Sequence, residues 1–103
     1  MKLSLISPEG LHYEQEVEGF VFDSRTGQKT VLAYQIETLS FFNFTKLSIL
    51  SDEVSDIFYI ALGYVLVKEN ESKIVAKLVS KEEEETEKRY QRLTKRTQKD
   101  EIE

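Results

Sequence analysis

Residues 1–17 read MKLSLISPEGLHYEQEV. Leu3 and Leu5 alternate with Ser4 and Ile6, the two-residue period of a strand. Ser7-Pro8-Glu9-Gly10 places proline second and glycine fourth, as a type I turn favours. A second strand then starts near Tyr13. Strand, tight turn and strand, with nothing reactive between them, mark β framework from the first residues.

The same texture continues to about residue 80. EVEGFVF (16–22) is rich in β-formers, and Gly19 inside it predicts a bulge or a close backbone approach. DSRTGQK (23–29) reads as a turn; TVLAYQI (30–36) and FFNFTKLSIL (41–50) read as strands; SDEVSD (51–56) reads as a polar turn. IFYIALGYVLV (57–67) is the longest apolar run, either two strands or one strand bent at Gly63. Its 11 residues fall well short of the roughly 20 that a membrane span needs. KENES (68–72) turns into KIVAKLV (73–79). Many short strands with no helical period between them predict a sandwich or barrel. The expected fold is mainly β: an antiparallel β-sandwich over 1–80, followed by a single polar C-terminal helix over 81–103.

Composition agrees with one folded domain. The chain has 103 residues, 40% apolar and 32% charged, with a net charge of -5. An acidic chain is repelled by nucleic acid and by anionic membrane, so neither is an expected partner. There is no cysteine, which excludes disulfides and thiolate metal sites. The first residues lack the basic region and long greasy run of a secretory signal.

The last 23 residues differ from the rest, with 7 Lys/Arg and 8 Asp/Glu. Ser80 can cap a helix, with Glu83 completing a capping box. Glutamates cluster near its start and cations follow, as the helix dipole prefers. Glu84–Lys88 and Glu85–Arg89 have i, i+4 spacing. The apolar stripe is thin, chiefly Tyr90 and Leu93. A helix of this kind is expected to stand off the sandwich, fray at its end or need a partner. The sandwich is expected to fold without it.

Chemistry-bearing constellations are missing. His12, just after a turn, reads as a strand-edge residue, with no nucleophile and base arranged around it. The carboxylates of EQEVE and EEEE read as solvated faces. Gly10, Gly19, Gly27 and Gly63 are isolated, so there is no phosphate loop, and no metal-ligand spacing exists. Phe41, Phe42, Phe44, Phe58, Tyr59 and Tyr64 read as core packing before they read as a ligand pocket. A binding or structural subunit is therefore expected, with no catalytic residue, cofactor or metal.

Ser7, Pro8, Glu9, Gly10, Tyr13, Glu16 and Val17 resemble the opening of the epsilon subunit of F-type ATP synthases, called delta in mitochondria. Gly27, Val31-Leu32, Leu47 and Ile49 match later positions of that family. Gly63, Tyr64, Val67, Asn70 and Ile74 match its late segment. The resemblance covers residues 1–80. It implies a β-sandwich on the rotor, bound to a gamma-like subunit beneath the catalytic head and resting on a membrane ring. It also implies a peripheral place on the cytoplasmic side of the membrane.

Two departures stand out. Where the family has G-E-F/L-G-V-L-P-N/G-H-A-P, this chain has GQKTVLAYQIE (27–37). Thr30 replaces a glycine and Ala33 a proline, which favours a plain strand through TVLAYQI and a remodelled ring-facing surface. Gln28, Lys29, Tyr34 and Gln35 are the partner-contact candidates there, meeting the ring or a non-standard substitute. Secondly, only one C-terminal helix fits, where the family has a hairpin, and the I/L-D-x-x-R-A ATP motif is absent. Tyr90 and Leu93 are the contact candidates on that helix. The expected function is a non-catalytic rotor subunit of an F-type or F-like ATPase. Its rivals are a β-sandwich adaptor recruiting a protein through its charged tail, and a barrel binding a small apolar ligand.

Overall fold

The computed structural model describes residues 1–33, 37–51 and 56–102, with side chains described through Thr94. The strands are β1 (Lys2–Ser7), β2 (Gly10–Glu16), β3 (Gly19–Ser24), β4 (Gly27–Leu32), β5 (Thr38–Leu50), β6 (Ile57–Lys68) and β7 (Glu71–Ser80). One helix follows, α1 (Glu83–Ile102). The strands form one hydrogen-bonded sheet in the order β2-β1-β7-β6-β5-β3-β4. Every pairing is antiparallel except β1 with β7.

The sheet becomes a sandwich because its long strands turn over midway. In β6 the buried positions are Phe58 and Ile60 before the turn and Val65 and Val67 after it. The inward-facing set thus changes parity. Leu62 lies between them with φ 58, a left-handed conformation that breaks the pleat. β5 changes parity at the same level, from Phe42 to Thr45 and Leu47. One half carries β2, β1 and the 71–76, 63–68 and 38–42 segments; the other carries β4, β3 and the remaining segments of β5, β6 and β7. IFYIALGYVLV is thus one bent strand, not two.

The core lies between the halves. Leu3, Leu5, Ile74 and Val65 meet Phe20, Phe22, Leu47 and Ile60 in a single buried cluster. Phe22 and Phe42 stack edge-on across it, centroids 6.3 Å apart, and Tyr13 meets Phe58 at 5.6 Å. Aromatic pairs favour this edge-to-face geometry. Gly19 allows a close approach, as its sequence position implies: a Cβ there would strike the Val31 carbonyl.

Three expectations need correction. TVLAYQI does not continue as one strand: β4 ends at Leu32 and Ala33 is in a turn. Its ladder partner β3 begins at Gly19, opposite Leu32, and the backbone before it turns to other strands: the Val17 amide donates to the Met1 carbonyl and the Glu18 amide to the Leu50 carbonyl. Residues 34–36 lie outside the described residues. The Ser80–Glu83 box gives way to a local turn, because Ser80 still belongs to β7. Its Oγ accepts from the Glu82 amide at 3.0 Å, and the helix starts at Glu83.

The third correction concerns α1, which docks over β6 and β7 on the outer face of the half that carries β3 and β4. Thr86 is fully buried, and its hydroxyl donates to the Glu82 carbonyl at 3.1 Å. Tyr90 lies against Phe44, centroids 5.7 Å apart. Ala61, fully buried yet outside the main core cluster, shares a cross-strand row with Phe44 and Leu78 beneath the helix. The Thr86 hydroxyl also reaches the Tyr59 carbonyl of β6 at 3.5 Å, so a thin stripe suffices. Glu85–Arg89 forms at 3.3 Å on the outer side.

Candidate protein-interaction face

Sheet register assembles a surface that sequence distance conceals. Phe41 pairs with Tyr64, Tyr64 with Val75, Val75 with Ile6, and Ile6 with Leu11. Directly paired residues point to the same side of a sheet. These five therefore form one apolar row across five strands, on the side away from the core. Leu39 and Leu66 pair in the next row and widen it on the β5–β6 side. Phe41 is 49% exposed, Leu39 55% and Leu11 57%. Isolated exposed apolar residues are ordinary, but a contiguous band is the mark of an interaction surface.

Charge is distributed unevenly around the band. Arg25, at the β3–β4 hairpin, sits over the Phe41 ring at 5.8 Å and donates from Nε to Asn43 at 3.1 Å. Lys29 shares a shallow cleft with Arg25, Leu39 and Phe41. Within the band, Lys73 and Lys77 stand on either side of Val75 along β7, both exposed. Carboxylates collect elsewhere on this face: Glu14 and Glu16 on β2, and Glu69 and Glu71 by the β6–β7 turn. Glu14 is taken up by Lys2 at 3.1 Å, which raises the Lys2 pKa first through that hydrogen bond and then through its charge.

The structure sorts the sequence candidates. Gln28 and Lys29 are exposed on β4, an outermost strand of the sheet. Lys29 reaches the rim of the apolar band; Gln28 pairs with Asp23 at the hairpin end. Tyr34 and Gln35 lie outside the described residues. Tyr90 and Leu93 are half-buried. Tyr90 covers Phe44, and Leu93 lines a small depression with Leu78, Arg89 and Arg92.

The aromatic set splits likewise. Phe42 and Phe58 belong to the core, Phe41 and Tyr64 to the outer band, and Phe44 to the helix dock. His12 is at the exposed sheet edge, as its position suggests. Its Nε2 is 2.6 Å from the Ser7 hydroxyl, which also accepts from the Glu9 amide at 3.1 Å. The pair clamps the β1–β2 turn. Among the described residues no His/Cys/Asp/Glu group is arranged to hold a metal.

Ile6, Leu11, Leu39, Leu66 and Val75 escaped sequence reading as site residues. The available signal was strand alternation with apolar residues on both parities, as in Leu39, Phe41 and Phe42. Placing them in one row requires the register.

Comparison with known proteins completes the description. The family described as ATP synthase, Delta/Epsilon chain, beta-sandwich domain matches residues 1–82. The comparison with curated proteins finds no match. Among solved structures, a chain of the Tetrahymena thermophila mitochondrial ATP synthase central stalk/c-ring superposes with TM-score 0.69 at 16% identity, over 78% of this chain and 65% of that one. A chain of the Euglena gracilis mitochondrial ATP synthase, in a structure of OSCP/F1/c-ring, superposes with TM-score 0.68 at 19% identity, over 76% and 51% respectively. At such identities the likeness is one of fold, and this chain spans less than two thirds of the length of either relative.

Proposed function

This chain belongs to the ATP synthase delta/epsilon family, and from that premise we propose that it is a non-catalytic central-stalk subunit of a rotary ATPase. In this reading it binds a gamma-like subunit and turns with it. The observation that carries the proposal is the family match over residues 1–82, which takes in every strand of the sandwich. The exposed apolar row from Phe41 to Leu11 supports it, because a subunit that must transmit torque needs a broad face to hold its neighbour.

The chain's place is peripheral, on the cytoplasmic side. Among the described residues no helix is long and apolar enough to cross a membrane, so attachment comes through a membrane ring or a substitute for it. Gln28 and Lys29, with Tyr34 and Gln35, are the proposed contacts there. Tagged chain purified from its native cells in mild detergent tests the reading. Gamma-like and catalytic-head subunits should accompany it in fixed proportion. Recovery of the chain with no ATPase subunit refutes it.

A further inference from the structure

We propose that the cleft between the β3–β4 hairpin and the start of β5 binds a small phosphate monoester, with its phosphate on Arg25 and Lys29 and its apolar or aromatic body against Leu39 and Phe41. The inference stands apart from the stalk reading, which assigns this chain no ligand.

The cleft has a volume of about 290 Å³, which suits a ligand at the small end of the usual range. Its charged lining is Arg25 and Lys29, hydroxyls such as those of Ser24 and Thr26 stand beside them, and no carboxylate lines it. The chain as a whole has 19 Asp/Glu against 14 Lys/Arg, so this sorting runs against its composition. Among the described residues no ion pair engages either cation. Arg25 is already in place: its guanidinium sits over the Phe41 ring at 5.8 Å, and Nε donates to Asn43 at 3.1 Å. Both terminal nitrogens are left for the oxygens of an anion. A guanidinium held in this way loses little freedom on binding. The hairpin tip is fixed too, since Ser24 Oγ donates to the Gly27 carbonyl at 2.8 Å and accepts from the Thr26 amide at 3.2 Å. Two cations match a phosphate monoester, which carries close to two negative charges near neutral pH, better than they match a carboxylate. Leu39 and Phe41 are about half exposed, and a body laid on them removes that surface from water. A second cleft, of about 330 Å³ beside the β6–β7 turn, gives the contrast. There Glu69 and Glu71 stand among Lys2, Lys68 and Lys73, so an anion meets both signs.

The test titrates phenyl phosphate into the isotope-labelled full chain and follows the backbone amides by NMR. Saturable shifts should centre on residues 24–29 and 39–41. Inorganic phosphate, which lacks the body, should bind on the order of tenfold more weakly. Arg25→Gln should weaken phenyl phosphate on the order of tenfold and Lys29→Gln severalfold. Phe41→Ala should bring it down to the level of inorganic phosphate. Lys68→Gln with Lys73→Gln, in the second cleft, is the control and should change nothing. Thermal midpoints verify that all variants are folded. No saturation below about 10 mM, shifts centred elsewhere, equal affinity for the two phosphates, or an equal loss in the control each overturn the proposal. Flotation with phosphatidylcholine vesicles, with and without phosphatidic acid, separates the two sources of such a ligand. Capture that needs phosphatidic acid and is lost in Arg25→Gln supports the site with a lipid headgroup. Saturable phenyl phosphate binding without vesicle capture supports it with a soluble ester.

Discussion

The Phe44 ring on β5 lies 5.7 Å from the Tyr90 ring on α1, with the two planes at 45°. That contact joins the charged C-terminal helix to the sandwich. With Thr86 buried one turn earlier, it makes the helix part of the folded unit. A chain ending at Ser80 should lose about 2 kcal/mol or more, from the half-buried aromatic pair and the uncovered Ala61 row. Tyr90→Ala alone should account for about half of that. Urea midpoints of the three proteins measure it, and equal midpoints would show the helix to be undocked.

Phe41 and Phe42 are neighbours in sequence and face opposite sides of the sheet. Phe42→Ala should cost about 3–5 kcal/mol, because it opens a hole in the core beside Phe22. Phe41→Ala should cost less than about 1 kcal/mol, because solvent already reaches the ring. The same pair of variants should reverse order in partner capture. Chemical denaturation and native-extract capture, run side by side, check both halves.

Gly63 faces the Val75 carbonyl of β7, and a Cβ at that position would overlap it. Gly63→Ala should therefore cost about 2 kcal/mol or more, since backbone on both strands would have to shift. Gly27 offers the contrast. It has φ 127 and open space around its missing Cβ, so Gly27→Ala should cost about 1 kcal/mol from backbone strain alone. A reversed order in thermal melts would contradict the close β6–β7 approach.

Burial holds the Tyr13 phenol above its ordinary pKa of 10.0, and the charge and hydrogen bond of Asp56 push the same way. A phenol with a raised folded pKa stays neutral in the fold while the unfolded chain ionises. Its contribution is fully present below the unfolded pKa and is lost as pH rises through the folded value. Tyr13→Phe should therefore show a shallower loss of stability than the wild type as pH rises above the ordinary phenol pKa of 10.0, while both stay flat near neutral pH. Parallel curves in urea titrations at these pH values would rule out the Tyr13–Asp56 coupling.

Local pattern alone determined most of the framework. The alternation in MKLSLIS, the Pro-Glu-Gly turn and the β-rich runs to Val79 identify strands and turns, because each depends on a few neighbouring residues and on backbone preferences. The polar helix is equally legible from its glutamate-first, cation-later order. Tertiary structure decided three things that no local rule contains. Strand pairing set the end of β4 at Leu32, since beyond Gly19 the backbone of its partner bonds to Leu50 and Met1 instead. Packing docked α1, through a buried Thr86 and the Tyr90–Phe44 contact, where amphipathicity read by itself suggested a free helix. Register gathered Phe41, Tyr64, Val75, Ile6 and Leu11 into one row and brought Arg25 of the β3–β4 hairpin to its Phe41 end. A surface made of residues up to about 70 positions apart exists only once hydrogen bonds between strands fix which side chains stand together.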